Sequence, residues 1–239
     1  MPVCEGLAAG IEPACGACLE TKCCGELASC DATPGCMPCV LGEDDGCAYP
    51  ESDALLECAF GQNVRFDGAR LDRAVLARAT LSKSSFRGAS LAGTNFAKGQ
   101  FTDTEFSSAD LINAVLVKGD FERSDFREAK LGGMFLTEAS FIDVSFESAT
   151  FESAISTECR FERCSFKGAK MSGILLTSAT LSAVTFEGAR LDKAIMFRCK
   201  GEGVSFAGAL LTETKLTDSV LPAADFTGAA LCRTLLRGA

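Results

Sequence analysis

The stretch Phe66-Asp-Gly-Ala-Arg-Leu71-Asp-Arg-Ala-Val-Leu76-Ala-Arg-Ala-Thr-Leu81-Ser-Lys-Ser-Ser-Phe86 puts a large apolar residue at every fifth position. A period of five matches neither the helical 3.6 nor the strand 2.0. The rule runs on to Leu236, and of its 35 positions only Ser156 and Gly201 fail to be Leu, Phe or Met. So long a fixed period marks a repeat architecture.

Counting in twenties sharpens the pattern. Phe recurs at 66, 86, 106 and every twenty residues to 226, and Ala follows each Phe by three, from Ala69 to Ala229. Residues i and i+20 therefore stack, and four five-residue sides close one coil. Nine coils at strand spacing give a rod of roughly 40 Å. The position three after the large residue is mostly Ala, Ser, Thr, Gly or Cys. Large and small side chains then share a narrow, close-packed interior.

These residues resemble the pentapeptide-repeat family, in Phe66-Asp-Gly-Ala-Arg-Leu71 and its echo Phe186-Glu-Gly-Ala-Arg-Leu191. The resemblance covers residues 64–239. It implies an all-β solenoid, a right-handed four-sided β-helix of about nine 20-residue coils with the large and small residues pointing inward. The family often carries Asp or Asn just before the large residue. That position is mixed here, with Asp110, Asp120, Asp125 and Asp225 among other residues.

The net charge of −9 divides unevenly. Residues 1–58 hold 11 acidic residues against Lys22 alone, a balance of −10, and residues 59–239 hold 21 acidic and 22 basic, a balance of +1. The rod is close to neutral and the acidity belongs to the N-terminal segment. That segment also holds ten of the 14 cysteines: Cys4, Cys15, Cys18, Cys23, Cys24, Cys30, Cys36, Cys39, Cys47 and Cys58. The density favours a disulfide framework. Four-cysteine zinc ligation by Cys15, Cys18, Cys36 and Cys39 is the minor alternative, since the two Cys-x-x-Cys pairs are suitably spaced. Ten thiols with an adjacent Cys23–Cys24 pair exceed what one zinc uses. Free thiols are the remaining reading.

The domain expectation is a small helical cysteine-rich cap over 1–60 and a solenoid over 61–239. Pro13, Thr33-Pro34 and Ser52 are candidate helix starts, and Leu55, Leu56 and Phe60 are placed to cover an open first coil. The cysteine spacing is similar to that of small modules in secreted myxobacterial proteins. No signal-peptide pattern follows Met1 and no apolar run reaches the length of a membrane span. Clustered cysteines favour an extracytoplasmic or secreted bacterial protein, and the missing leader pattern favours the cytoplasm.

His and Trp are absent, which removes the commonest general base and metal ligand. Asp103, Glu105, Glu122, Asp125, Asp143 and Glu162 gather on one side with Lys83, Arg123 and Arg163 among them, the pattern of a solvated, charge-paired face. No phosphate loop, metal triad or nucleophile–base pair occurs. The expectation is a non-enzyme with no cofactor and no metal.

The outward column just before the large residue of one side is Val75, Asn95, Val115, Phe135, Ile155, Leu175, Ile195, Lys215 and Leu235. Its counterparts on the other sides are mostly polar. Val115, Phe135, Ile155, Leu175 and Ile195 make an apolar stripe that reads as a partner-binding site. The expected partner is a second copy, in a dimer or larger assembly, or a foreign protein, unless the cysteine-rich segment folds back over the stripe. Direct nucleic-acid binding is not expected. A bare last coil adds a second sticky surface, and Cys232 beside it is a candidate intermolecular thiol. Cys159, Cys164 and Cys199 fall at the inward small position. The alternative implied by the family resemblance is a DNA mimic that protects DNA gyrase or another topoisomerase from inhibitors. It fits less well, because a mimic of DNA needs dense negative charge along the rod.

Overall fold

The computed structural model describes residues 60–238. The proposed cap over 1–60, its ten cysteines and the zinc alternative lie outside the described residues, apart from the backbone of Phe60.

Among the described residues the secondary structure is all β and all parallel. Seven three-residue strands form one sheet in chain register: β1 (Phe60–Gln62), β2 (Thr80–Ser82), β3 (Gln100–Thr102), β4 (Asp120–Glu122), β5 (Ser140–Ile142), β7 (Arg160–Glu162) and β9 (Thr180–Ser182). A second sheet contains β6 (Ile155–Thr157), β8 (Leu175–Thr177) and β10 (Ile195–Phe197). Every pairing joins residues twenty apart, as Phe121 with Phe141 or Ile155 with Leu175. Single bridges carry the same register along the other two sides and down to Leu235. The structure is a parallel β-solenoid with four five-residue sides per coil.

The interior is the two inward columns expected from the repeat. Phe86, Phe106, Phe126, Phe146, Phe166, Phe186 and Phe206 are buried, and the small column beside them is buried too. Stacked rings along the Phe66–Phe226 column sit 4.6–5.2 Å apart, each nearly parallel to the next. That spacing is the strand spacing of the solenoid wall, so ring stacking and backbone pairing share one repeat. The last coil differs: Leu231 and Leu236, inward by register, are 41% and 47% exposed.

Both register breaks have a structural counterpart. At Gly201 the backbone approaches the coil above so closely that a Cβ would overlap the Leu181 carbonyl. The glycine lets main chain occupy the space a large side chain would fill, and the seven-stranded sheet ends one coil earlier, at β9. Ser156 is buried, and its hydroxyl lies beside the Cys159 thiol with no hydrogen bond of good geometry.

The corners show a feature the apolar period does not announce. From Asn63 to Gly238 every fifth residue has positive φ, at 48–70°. Eleven of these are Gly, and the other 25 are side-chain-bearing residues such as Arg73, Glu128 and Ala183. Where the next residue is Ala or Gly the corner usually closes as a type II turn, as when Ala89 N–H donates to Phe86 O at 3.0 Å. On the seven-stranded side from Ser84 to Val184 that position is Ser, Thr, Val or Cys, and the turn bond is missing. These corners stay open and the chain continues as strand, whereas Thr94 and Ile174 close theirs at 3.1 and 3.2 Å on other sides. Buried hydroxyls and thiols there donate to the coil above: Ser124 Oγ to Phe101 O at 3.2 Å and Cys164 Sγ to Phe141 O at 3.3 Å.

Candidate functional site

Since the interior is filled with side chains, the chemistry available to the described residues is on the four outer sides of the solenoid. Each side shows two outward columns, one residue before and one after the buried large residue. Over seven consecutive coils, three sides are rich in charge. The seven-stranded side carries six charged residues in fourteen positions from Thr80 to Glu202. The side of the Phe column carries nine from Arg65 to Glu187, and the next carries eight from Arg70 to Asp192.

The fourth side carries none. Its columns are Val75, Asn95, Val115, Phe135, Ile155, Leu175, Ile195 and Ala77, Ala97, Val117, Thr137, Thr157, Thr177, Phe197. The structure brings the five stripe residues into one continuous bridged column, Val115 to Phe135 to Ile155 to Leu175 to Ile195. Phe135 and Ile195 are 44% and 37% exposed; Val115, Ile155 and Leu175 are half-buried by their neighbours above and below. Val75, at the head of the column, is half exposed, and Ile112 is exposed around the corner. Sequence reasoning missed the second column. The signal was available in the residues one past each large position, where Ala, Val and Thr replace the Asp, Arg and Glu of the other sides. Where β6, β8 and β10 pair, this side is regular, flat sheet. At its lower end the Arg198 guanidinium covers the Phe197 ring, 4.7 Å from the centroid.

Two corner ridges differ in how charge is arranged. Along the ridge that follows the seven-stranded side, Lys83, Asp103, Arg123, Asp143 and Arg163 alternate in sign. Arg123 Nε donates to Asp103 at 2.7 Å and Arg163 Nε donates to Asp143 at 2.6 Å. Arg123 also pairs with Glu122, and Arg163 with Glu162, which in turn meets Arg160. The hydrogen bonds from Arg123 and Arg163 hold the Asp103 and Asp143 carboxyls below the usual range, and Arg160 and Arg163 do the same for Glu162. The carboxylates are thus held ionised as partners of arginine, with none raised toward a general-acid role.

Along the ridge beside the uncharged side the sequence is Arg78, Lys98, Lys118, Glu138, Glu158, Ser178, Arg198. Charges there come in blocks. Lys118 Nζ pairs with Glu138 at 3.3 Å, at the junction between the blocks. The opposite ridge, Arg73, Gly93, Asn113, Gly133, Ser153, Gly173, Lys193, is small and uncharged between its two basic ends.

Cys159, Cys164 and Cys199 are buried, as their register requires, and Cys232 is exposed. Burial pushes the Cys164 thiol up to about 12 and the Cys199 thiol up to about 11, and raises Cys159 as well. All three stay protonated at neutral pH and are neither nucleophiles nor ligands there. Among the described residues no group of acidic, Cys or His side chains is arranged to hold a metal ion, and no helix is long and apolar enough to cross a membrane.

The description "Pentapeptide repeats" matches the chain in eight copies, over residues 62–96, 104–141, 120–155, 159–196 and 202–238. The chain belongs to the pentapeptide repeat family. Its fold is shared with solved structures of QnrB1, a plasmid-mediated fluoroquinolone resistance protein. One trypsin-treated form is 16% identical, with a TM-score of 0.57, covering 72% of this chain and 91% of QnrB1. A second such form has a TM-score of 0.52 at the same identity, covering 71% and 90%. HetL of the cyanobacterium Nostoc sp. strain PCC 7120, a pentapeptide repeat protein involved in heterocyst differentiation regulation, is 26% identical over 75% of this chain and 85% of its own, at a TM-score of 0.34. No curated protein sequence matches.

Proposed function

We propose that this pentapeptide repeat protein is a non-enzymatic structural or interaction rod that docks a protein surface, its own or a partner's, through the side formed by residues 75–77 to 195–197. The observation that carries the reading is the lack of any charged residue in fourteen outward positions of that side, when the other three sides carry six to nine each. Charge is depleted at the cores of protein interfaces, and an uncharged strip of seven coils with a continuous apolar run from Val115 to Ile195 is larger than scattered surface residues produce.

Replacing Phe135 and Leu175 together by Asp tests the reading. Both point outward, so the fold should persist by circular dichroism and association should be lost by at least tenfold. Association and partner binding unchanged in this variant would remove the proposal. The topoisomerase-protection alternative draws support only from a shared fold, and the near-neutral balance of residues 59–239 weighs against DNA mimicry. Protection of gyrase from a fluoroquinolone in a supercoiling assay would reinstate it. The ten cysteines of residues 1–58 support an oxidising, extracytoplasmic setting. Intact mass with and without reductant and alkylation tests this, since a fully reduced segment would place the protein in the cytoplasm.

A further inference from the structure

Resting on that docking reading, we propose that the occupant of the uncharged side is a second copy of the same chain, packed face to face and antiparallel about a two-fold axis between the coil of Val115 and the coil of Phe135. Three features of the side point to this one arrangement.

The first is charge. An antiparallel two-fold lays the blocked ridge against the same ridge in reverse order. Lys118 then faces the partner's Glu138 and Lys98 faces the partner's Glu158, each contact made twice. Within one chain Lys98 neighbours Lys118, and Glu138 neighbours Glu158, so the blocks repel internally and are relieved by the second copy. A slip of one coil puts Lys118 against its own copy or Glu138 against its own copy. A parallel arrangement would set the charged ridge over Gly93, Asn113, Gly133 and Ser153, which offer no charge.

The second feature is shape. The upper half of the side is built from the smaller residues Val75, Asn95 and Val115, and the lower half from Phe135, Ile155 and Leu175. The same two-fold sets Val115 on the partner's Phe135, Asn95 on the partner's Ile155 and Val75 on the partner's Leu175. The second outward column follows suit, with Ala and Val above and Thr below. Recessed halves receive raised halves.

The third is extent. Six coils contribute twelve outward residues and twelve ridge residues per copy, within the 20–30 per side of a standard interface.

The test is reciprocal charge reversal in the full chain under reductant, read by sedimentation velocity and native mass spectrometry. The wild type should dimerise. The variant Lys98→Glu with Lys118→Glu, and the variant Glu138→Lys with Glu158→Lys, should each dimerise at least about tenfold more weakly. Their equimolar mixture should recover a 1:1 heterodimer within about threefold of wild-type affinity. A wild type that stays monomeric at about 100 µM overturns the proposal, and so does a mixture that fails to recover. If Phe135→Asp with Leu175→Asp abolishes the dimer and the reversals do nothing, the antiparallel register falls and the docking reading stands. If the dimer survives that double substitution, both fall. A monomeric wild type whose Tm drops on the same substitution means that the chain's own residues cover the side, which also overturns the second copy.

Discussion

The seven-stranded side and the uncharged side stand over one interior, yet they treat their surroundings in opposite ways. Both present two outward columns with the same strand geometry and the same left-handed corners. The seven-stranded side spends its outward positions on Asp120, Glu122, Arg160 and Glu162, and the ridge beside it alternates in sign so that each arginine is met within the chain. The uncharged side leaves its apolar positions open, and its ridge is charged in blocks, with Lys118 and Glu138 paired where the blocks join. In a solenoid the fold is set by inward residues, so the outward ones are free to differ. A side flanked by a ridge of alternating charge paired within the chain has little demand for a partner; a side with open apolar columns and like charges stacked on its ridge has more.

The comparison breaks first if the two sides do not share a core. Phe141→Ala behind the seven-stranded side should cost about 3–5 kcal/mol, and Leu176→Ala behind the uncharged side about 2–5 kcal/mol, both read from denaturant midpoints. A much smaller loss at Leu176 would mean the uncharged side is loosely built. Next in size is the outward contrast. Phe135→Asp with Leu175→Asp should weaken association at least tenfold. Thr180→Asp, placed between Arg160 and Lys200 on the seven-stranded side, should leave association unchanged.

A smaller effect lies in acid. The hydrogen bond from Arg163 depresses the Asp143 carboxyl below its ordinary 3.8. A depressed carboxylate adds stability above the unfolded value, and that contribution is lost as pH falls through the folded value. In Arg163→Ala, Asp143 should titrate closer to 3.8 by NMR, and stability at neutral pH should fall while its loss on acidification becomes shallower. An unchanged Asp143 titration would deny the alternating ridge its internal pairing. The smallest effect is expected at the corners. Ala183 holds φ at 51°, and Ala183→Gly should stabilise by up to about 1 kcal/mol, seen as a small rise in Tm.

Much of this was legible in the sequence, for a reason particular to solenoids. Stacking at a fixed interval converts residue number directly into direction, so the Phe66–Phe226 column, the buried Cys159, Cys164 and Cys199, and the outward run from Val115 to Ile195 could be placed without coordinates. The left-handed corners were harder to see, because Arg, Lys, Glu and Ser fill most of them and only the recurring glycines hint at the conformation. The split between closed corners and strands does not follow from the type of the next small residue alone, since Thr94 and Ile174 close their corners as alanines do. The role of Gly201 was invisible because it depends on how close main chain comes to Leu181. The second column of the uncharged side was readable, but only by comparing positions one past the large residue across all four sides.

The five-residue side also decides which length changes such a gene tolerates. Losing or gaining twenty residues changes the rod's length and leaves every column aligned. Losing five keeps the interior filled, since each remaining segment still offers one large and one small residue, but turns everything downstream by a quarter revolution. The apolar columns above the cut would then continue into charged ones below it. Such a deletion would interrupt the Phe ring stack at the cut, keep one large inward residue on every side, and erase the surface.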